Sequence, residues 1–113
     1  MTKFRISRLV KNLFYTALLL TGQAFAQTPA EAAQTLNIRS LAATCANCHG
    51  TNGKAYEGSA VVTLAGMPKD YIVAQMKAFQ TGTRPATIMH QLAKGYTDQQ
   101  IDQIAAYFAA QKK

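Results

Sequence analysis

Two cysteines and a histidine stand together in Cys45-Ala46-Asn47-Cys48-His49, and these are the only two cysteines of the chain. Thiols at i and i+3 lie on one turn of a helix, so their sulfurs sit together, placed to form thioethers to two vinyl groups of one porphyrin. A histidine directly after the second cysteine can swing its imidazole beneath the iron as proximal ligand, which leaves the opposite face to a second ligand or an exogenous molecule. The chemistry this pattern points to is covalent attachment of one haem c through Cys45 and Cys48, with His49 on the metal. Two other uses of a C-x-x-C pair fit less well. A four-ligand zinc site would need two more Cys or His, and His49 and His90 are the only histidines. A thioredoxin-like redox disulfide expects a βαβ setting that this chain lacks.

The opening of the chain gives independent support. Lys3, Arg5, Arg8 and Lys11 make a basic start, Leu13 to Leu20 form a short apolar run, and Ala24-Phe25-Ala26 has the small-x-small shape of a cleavage site. This reads as a secretory signal peptide over residues 1–26, with a mature domain over 27–113 exported to the periplasm. The apolar run falls short of the roughly 20 residues of a membrane span, so an uncleaved anchor is the weaker alternative. No cysteine stands at the cleavage site to carry a lipid. Thiols that must meet a porphyrin outside the cytoplasm belong to a chain that is exported first.

Removing residues 1–26 from 113 leaves 87, enough for one domain but few for a generous core. With Cys45 and Cys48 spent on thioethers no disulfide remains, and a covalently held haem is the natural staple. Charge also changes. Four of the twelve Lys and Arg and none of the five acids fall in residues 1–26, so the remainder carries +3 rather than +7, and haem propionates lower it further. The basic pI therefore argues for neither nucleic acid nor membrane surface as partner.

The mature region reads as all helical, with no alternating run long enough for a strand. Thr28 as cap, Pro29 at the first position and Glu31 three after the cap form a capping box for a first helix. Ile38, Leu41, Ala42 and Cys45 then fall at i, i+3, i+4 and i+7, on one apolar face. A stretch with Gly50, Gly53 and Gly58, ending at Leu64-Ala65-Gly66, lacks periodicity and suits chain wrapped around a ligand. A second helix is predicted from near Pro68 to Gly82, with Ile72, Met76 and Phe79 on one face. Residues 86–95 contain at most a helical turn. Thr97 and Gln100 cap a last helix with Ile101, Ile104, Ala105 and Phe108 as its buried stripe. Tyr71, Tyr96, Tyr107 and Phe108 are expected as core and helix contacts.

With the C-x-x-C-H motif and the capped helices, the segments Leu64-Ala65-Gly66, Tyr71, Gln75 to Phe79, Gly82 to Met89 and Ala93 to Thr97 resemble class I c-type cytochromes of the c4 and c553 type. Among these, the haem subunit of flavocytochrome c sulfide dehydrogenase is the nearest pattern. The resemblance covers nearly all of residues 27–113 and implies the class I fold, three main helices and loops around one covalent haem. It also implies Met89 as the distal iron ligand, in a segment bounded by Pro85 and Gly95 that can fold over the far face of the porphyrin. Met76, on an apolar helix stripe, and Met67, at a helix start, suit packing. His90, beside Met89, reads as a surface histidine, with iron ligation the lesser alternative. One departure stands out: the prolines that usually precede Leu-Ala-Gly, one lending its carbonyl to the proximal histidine, are replaced by Ser59 and Val62.

A His/Met iron has no open position, so the feasible chemistry is outer-sphere electron transfer, with no side chain as acid, base or nucleophile. The resemblance implies a subunit that accepts electrons from a flavin (FAD) protein oxidising sulfide. The alternatives are a free c4- or c553-like periplasmic shuttle and, were Met89 not a ligand, a gas or peroxide sensor. Lys69, Lys77, Arg84 and Lys94 are candidates for a ring of docking charges, and Asp98 and Asp102 for a solvated face near the positive end of the last helix.

Overall fold

A computed structural model describes residues 27–113, and the expected signal peptide lies outside the described residues. The first helix, α1, spans Pro29–His49. It begins where the sequence supplies partners for its free N–H groups: the Glu31 amide donates to Thr28 Oγ1 at 3.3 Å and the Thr28 amide donates to Glu31 Oε2 at 2.8 Å. It ends at Gly50, whose φ of 79° turns the chain back on itself. A Cβ there would lie 2.0 Å from the Lys54 carbonyl oxygen, so only glycine passes directly behind His49.

Three further helices follow among the described residues. The second, α2, spans Lys69–Thr81 between Pro68 and a left-handed Gly82. The third, α3, is a single turn, Met89–Leu92, continued by a 3-10 turn over Ala93–Gly95. The last, α4, spans Asp98–Ala109 behind the reciprocal Thr97 and Gln100 cap. No strand occurs among the described residues. The architecture is the all-α one expected, with α3 as the turn inside residues 86–95.

The core gathers on α4. Ile101, Ile104, Ala105 and Phe108 are all buried, and they meet Ala42 of α1, Ile72 and Met76 of α2, and Ala93. Both α1 and α2 pack against α4. On α1 the contact is made by a small side chain, Ala42, with half-buried Leu41 and Cys45 beside it, while Leu36 stays 65% exposed. The stripe read from spacing is therefore correct for α4, and on α1 Leu41, Ala42 and Cys45 of the expected stripe meet the core while Ile38, a turn earlier, is half-buried outside it. Tyr71, expected in the core, is instead 49% exposed.

Residues 50–68 form no regular element of length, yet they are pinned to the end of α4. The Gly53 carbonyl accepts from the Leu64 and Ala65 amides at 2.7 and 3.1 Å, and the Gly66 amide donates to the Phe108 carbonyl at 2.9 Å. Asn52 adopts φ 55°, a left-handed conformation, and the Tyr107 hydroxyl donates to its Oδ1 at 2.7 Å. Charge joins α2 to α4: Lys69 pairs with Asp102 at 2.6 Å and Lys77 with Asp98. These acids lie on the solvated face expected and also pair with α2, so two of the four candidate docking cations are engaged. Both pairs are largely exposed and each is worth about 0.5 kcal/mol.

Gly53 and Gly58 make a controlled comparison. Both have positive φ, 77° and 78°, but a Cβ on Gly53 would fall 2.6 Å from the Phe108 ring and 2.9 Å from Leu64 Cβ, whereas one on Gly58 meets nothing within 4 Å. Gly58→Ala should lower the unfolding free energy by about 1 kcal/mol, and Gly53→Ala by about 3 kcal/mol, measured by denaturant unfolding.

The cap of α1 carries a pH dependence. The Thr28 amide, and then its hydroxyl, hold the Glu31 carboxyl below its ordinary 4.5. A carboxyl depressed in the folded state contributes stability above the unfolded value, lost as pH falls through the folded one. The Thr28 amide resonance should accordingly shift in a titration centred below pH 4.5, and Glu31→Gln should abolish that shift.

Candidate functional site

The last turn of α1 carries Cys45, Cys48 and His49. Both thiols are free, Cys45 half-buried and Cys48 exposed. Cys45 packs against the core, as its place on the apolar face predicts. Burial pushes its thiol up from the ordinary value.

His49 is buried, and its Nδ1 lies 2.8 Å from the Val62 carbonyl oxygen. A carbonyl only accepts, so the ring proton sits on Nδ1 and the lone pair on Nε2 is left to bind a metal. Of the two residues standing where prolines were expected, Val62 is the one that orients the imidazole. Ser59 works alongside it: its Oγ accepts from the Val61 amide at 3.1 Å and shapes the approach to that carbonyl.

The three methionines among the described residues sort differently. Met76 is 8% exposed, a member of the α2 contribution to the core. Met67 and Met89 are half-buried and pack against the core from outside, Met67 just before α2 and Met89 at the first position of α3. His90 is not the surface residue expected: it is half-buried, with Nδ1 enclosed and without a hydrogen-bond partner. Arg84 is not free for a docking ring either. Its guanidinium lies 4.8 Å over the Phe79 ring and donates to Gln75, and its amide donates to the Ala78 carbonyl at 3.1 Å, which fixes where the segment toward Met89 leaves α2.

One link between the end of α1 and the chain beyond α3 was not visible in the sequence. The Thr44 hydroxyl spends its proton on the Leu41 carbonyl at 2.7 Å, so the Tyr96 hydroxyl donates to Thr44 Oγ1, at 2.6 Å. This ties the chain beyond Met89 to the turn that carries Cys45. No periodicity signals a contact between residues 52 apart.

The donor set fits a haem. It offers two unpaired thiols on one helical turn, a buried imidazole with a free Nε2, and beside that imidazole the exposed apolar side chain of Val62. Among the described residues no three His, Cys, Asp or Glu side chains are grouped to hold a bare metal ion. The family profile described as Cytochrome c matches residues 37–112. The chain belongs to the cytochrome c family.

This cytochrome is similar to the cytochrome subunit of sulfide dehydrogenase of Chlorobaculum tepidum, 40% identical over 68 residues that make up 60% of this chain and 60% of that protein. Cytochrome c4 of Pseudomonas aeruginosa is 36% identical over 107 residues, 95% of this chain and 50% of that one. A thiosulfate dehydrogenase electron acceptor of Thiomonas intermedia is 32% identical over 71 residues, 63% of this chain and 33% of that protein. The chain thus spans less than two thirds of each of these relatives. Together they place it in the c4- and c553-like class I group, and the cytochrome carries one covalently bound haem c. Among the described residues no helix is long and apolar enough to cross a membrane.

The Val62 carbonyl, not its side chain, holds His49, and the Val62 amide donates no hydrogen bond among the described residues. Val62→Pro keeps the acceptor and stiffens the loop. The haem absorption spectrum should stay unchanged, while the unfolding free energy rises by about 0.5–1 kcal/mol.

Proposed function

We propose that residues 1–26 are a signal peptide and that this cytochrome works in the periplasm, its domain over 27–113 holding the haem through thioethers from Cys45 and Cys48. His49 ligates the iron from one side and Met89 from the other. The observation that carries this reading is the hydrogen bond from His49 Nδ1 to the Val62 carbonyl, which presents Nε2 for ligation at the end of the helix that bears both thiols. The haem supplies a one-electron ferric and ferrous couple. Met89 closes the sixth position against small molecules, and thioether donation with burial raises the potential above that of a bis-histidine site.

Within that reading the cytochrome is a haem subunit that accepts electrons from a flavoprotein (FAD) sulfide dehydrogenase. The likeness to the Chlorobaculum tepidum subunit supports it. A free electron shuttle is the second reading, favoured by the likeness to cytochrome c4 along 95% of this chain. Absorption spectroscopy of protein purified gently from its native source discriminates the two: haem with stoichiometric flavin is the outcome for a subunit, haem alone for the shuttle.

Ligation has its own test. Wild-type ferrous protein should not bind carbon monoxide, Met89→Ala should bind it readily, and Met67→Ala should remain closed. Met76→Ala should also remain closed while losing about 2–5 kcal/mol of stability as a core truncation.

A further inference from the structure

Gln80 stands in the last turn of α2, half-buried, with both hydrogens of its side-chain amide engaged. Its Nε2 lies 2.9 Å from the Ala93 carbonyl oxygen and 2.9 Å from that of Tyr96. Both partners only accept, so the NH₂ group must be the end that faces them. Ala93 is fully buried, and its own amide donates to the Met89 carbonyl. Two hydrogen bonds in series therefore run from the Met89 backbone through Ala93 to Gln80. The other branch reaches Tyr96, and from its hydroxyl Thr44, the residue before Cys45.

A helix of one turn such as α3 cannot hold its own shape. Arg84 anchors the chain where it leaves α2, well before Met89. After Met89 the polar side-chain anchors are Gln80 and Thr44, and Gln80 alone grips the backbone of the 93–96 turn.

We propose that Gln80 is a positioning residue for the sixth iron ligand: its two hydrogen bonds hold the turn over Ala93–Tyr96, and through Ala93 the backbone from which Met89 ligates. This rests on Met89 being the ligand. Without the two bonds the turn loosens, and an added ligand displaces Met89 more easily. The Thr44 bond holds the Tyr96 side chain, and apart from the turn's own bond from the Tyr96 amide to the Ala93 carbonyl, Gln80 is the donor that reaches these carbonyls among the described residues.

The test uses ferric holoprotein titrated with imidazole, and follows the red absorption band of methionine-ligated ferric haem. In Gln80→Leu the imidazole affinity should rise roughly tenfold or more, the equivalent of one to two lost neutral hydrogen bonds, with the band weakened. Gln80→Glu, whose ionised carboxylate can only accept, should behave alike and serves as the second donor-free variant should Gln80→Leu yield no holoprotein. Gln80→Lys, whose ammonium can donate to both carbonyls, should restore wild-type affinity. Unchanged imidazole affinity in the donor-free variants, even with a lowered unfolding midpoint, would make Gln80 a merely structural residue and overturn the proposal, as would failure of Gln80→Lys to restore it. Absence of the methionine band from wild type, or its survival in Met89→Ala, defeats the ligand reading and this proposal together. A band that Met89→Ala abolishes, beside indifferent Gln80 variants, defeats this proposal alone.

Discussion

Burial of the α4 stripe, Ile101, Ile104, Ala105 and Phe108, is the interaction against which every other element is located. Ala42 brings α1 to it, Ile72 and Met76 bring α2, and the loop between them touches the same surface through Gly53 and Gly66. Phe108 matters twice, through its ring against Gly53 and through its carbonyl, which accepts from the Gly66 amide. A small domain has few such surfaces, so the loop is held by close backbone approach where a larger protein would use a second layer of side chains. Close approach is also why glycine is demanded at Gly53.

The proposed site draws on three separated stretches, each aimed by a different device. The turn with Cys45, Cys48 and His49 is aimed by the end of α1 and stopped by Gly50. The imidazole is aimed by a backbone carbonyl of the loop, from Val62. The stretch with Met89 hangs from α2, by Arg84 at one end and Gln80 at the other, and is joined to α1 through Tyr96 and Thr44. Hydrogen bonds to backbone carbonyls recur here because irregular chain has carbonyls to spare, and leaving one buried without a donor costs about 1–3 kcal/mol.

The surface charges tell a plainer story than their number suggests. Lys69 and Lys77 answer Asp102 and Asp98 across α2 and α4, and Arg84 lies over Phe79. Counting basic residues in the sequence puts them at a docking face, because a list of charges cannot reveal which are already matched by acids from another helix. His90 is a similar case. It reads as a surface residue beside Met89, yet its Nδ1 is enclosed.

What the sequence determined by itself was local. The capping boxes at Thr28 and Thr97, the glycine stops at Gly50 and Gly82, the period of the α4 stripe and the Cys45-Cys48-His49 spacing all act within one or two helical turns, so the order of residues states them completely. The tertiary structure decided what depends on residues meeting across long stretches of chain. Which carbonyl orients His49, which acids engage Lys69 and Lys77, how Tyr96 reaches Thr44 and what Gln80 grips are matters of register between elements. That register is set by how side chains of particular volume pack on α4, a collective property that no single stretch of sequence carries.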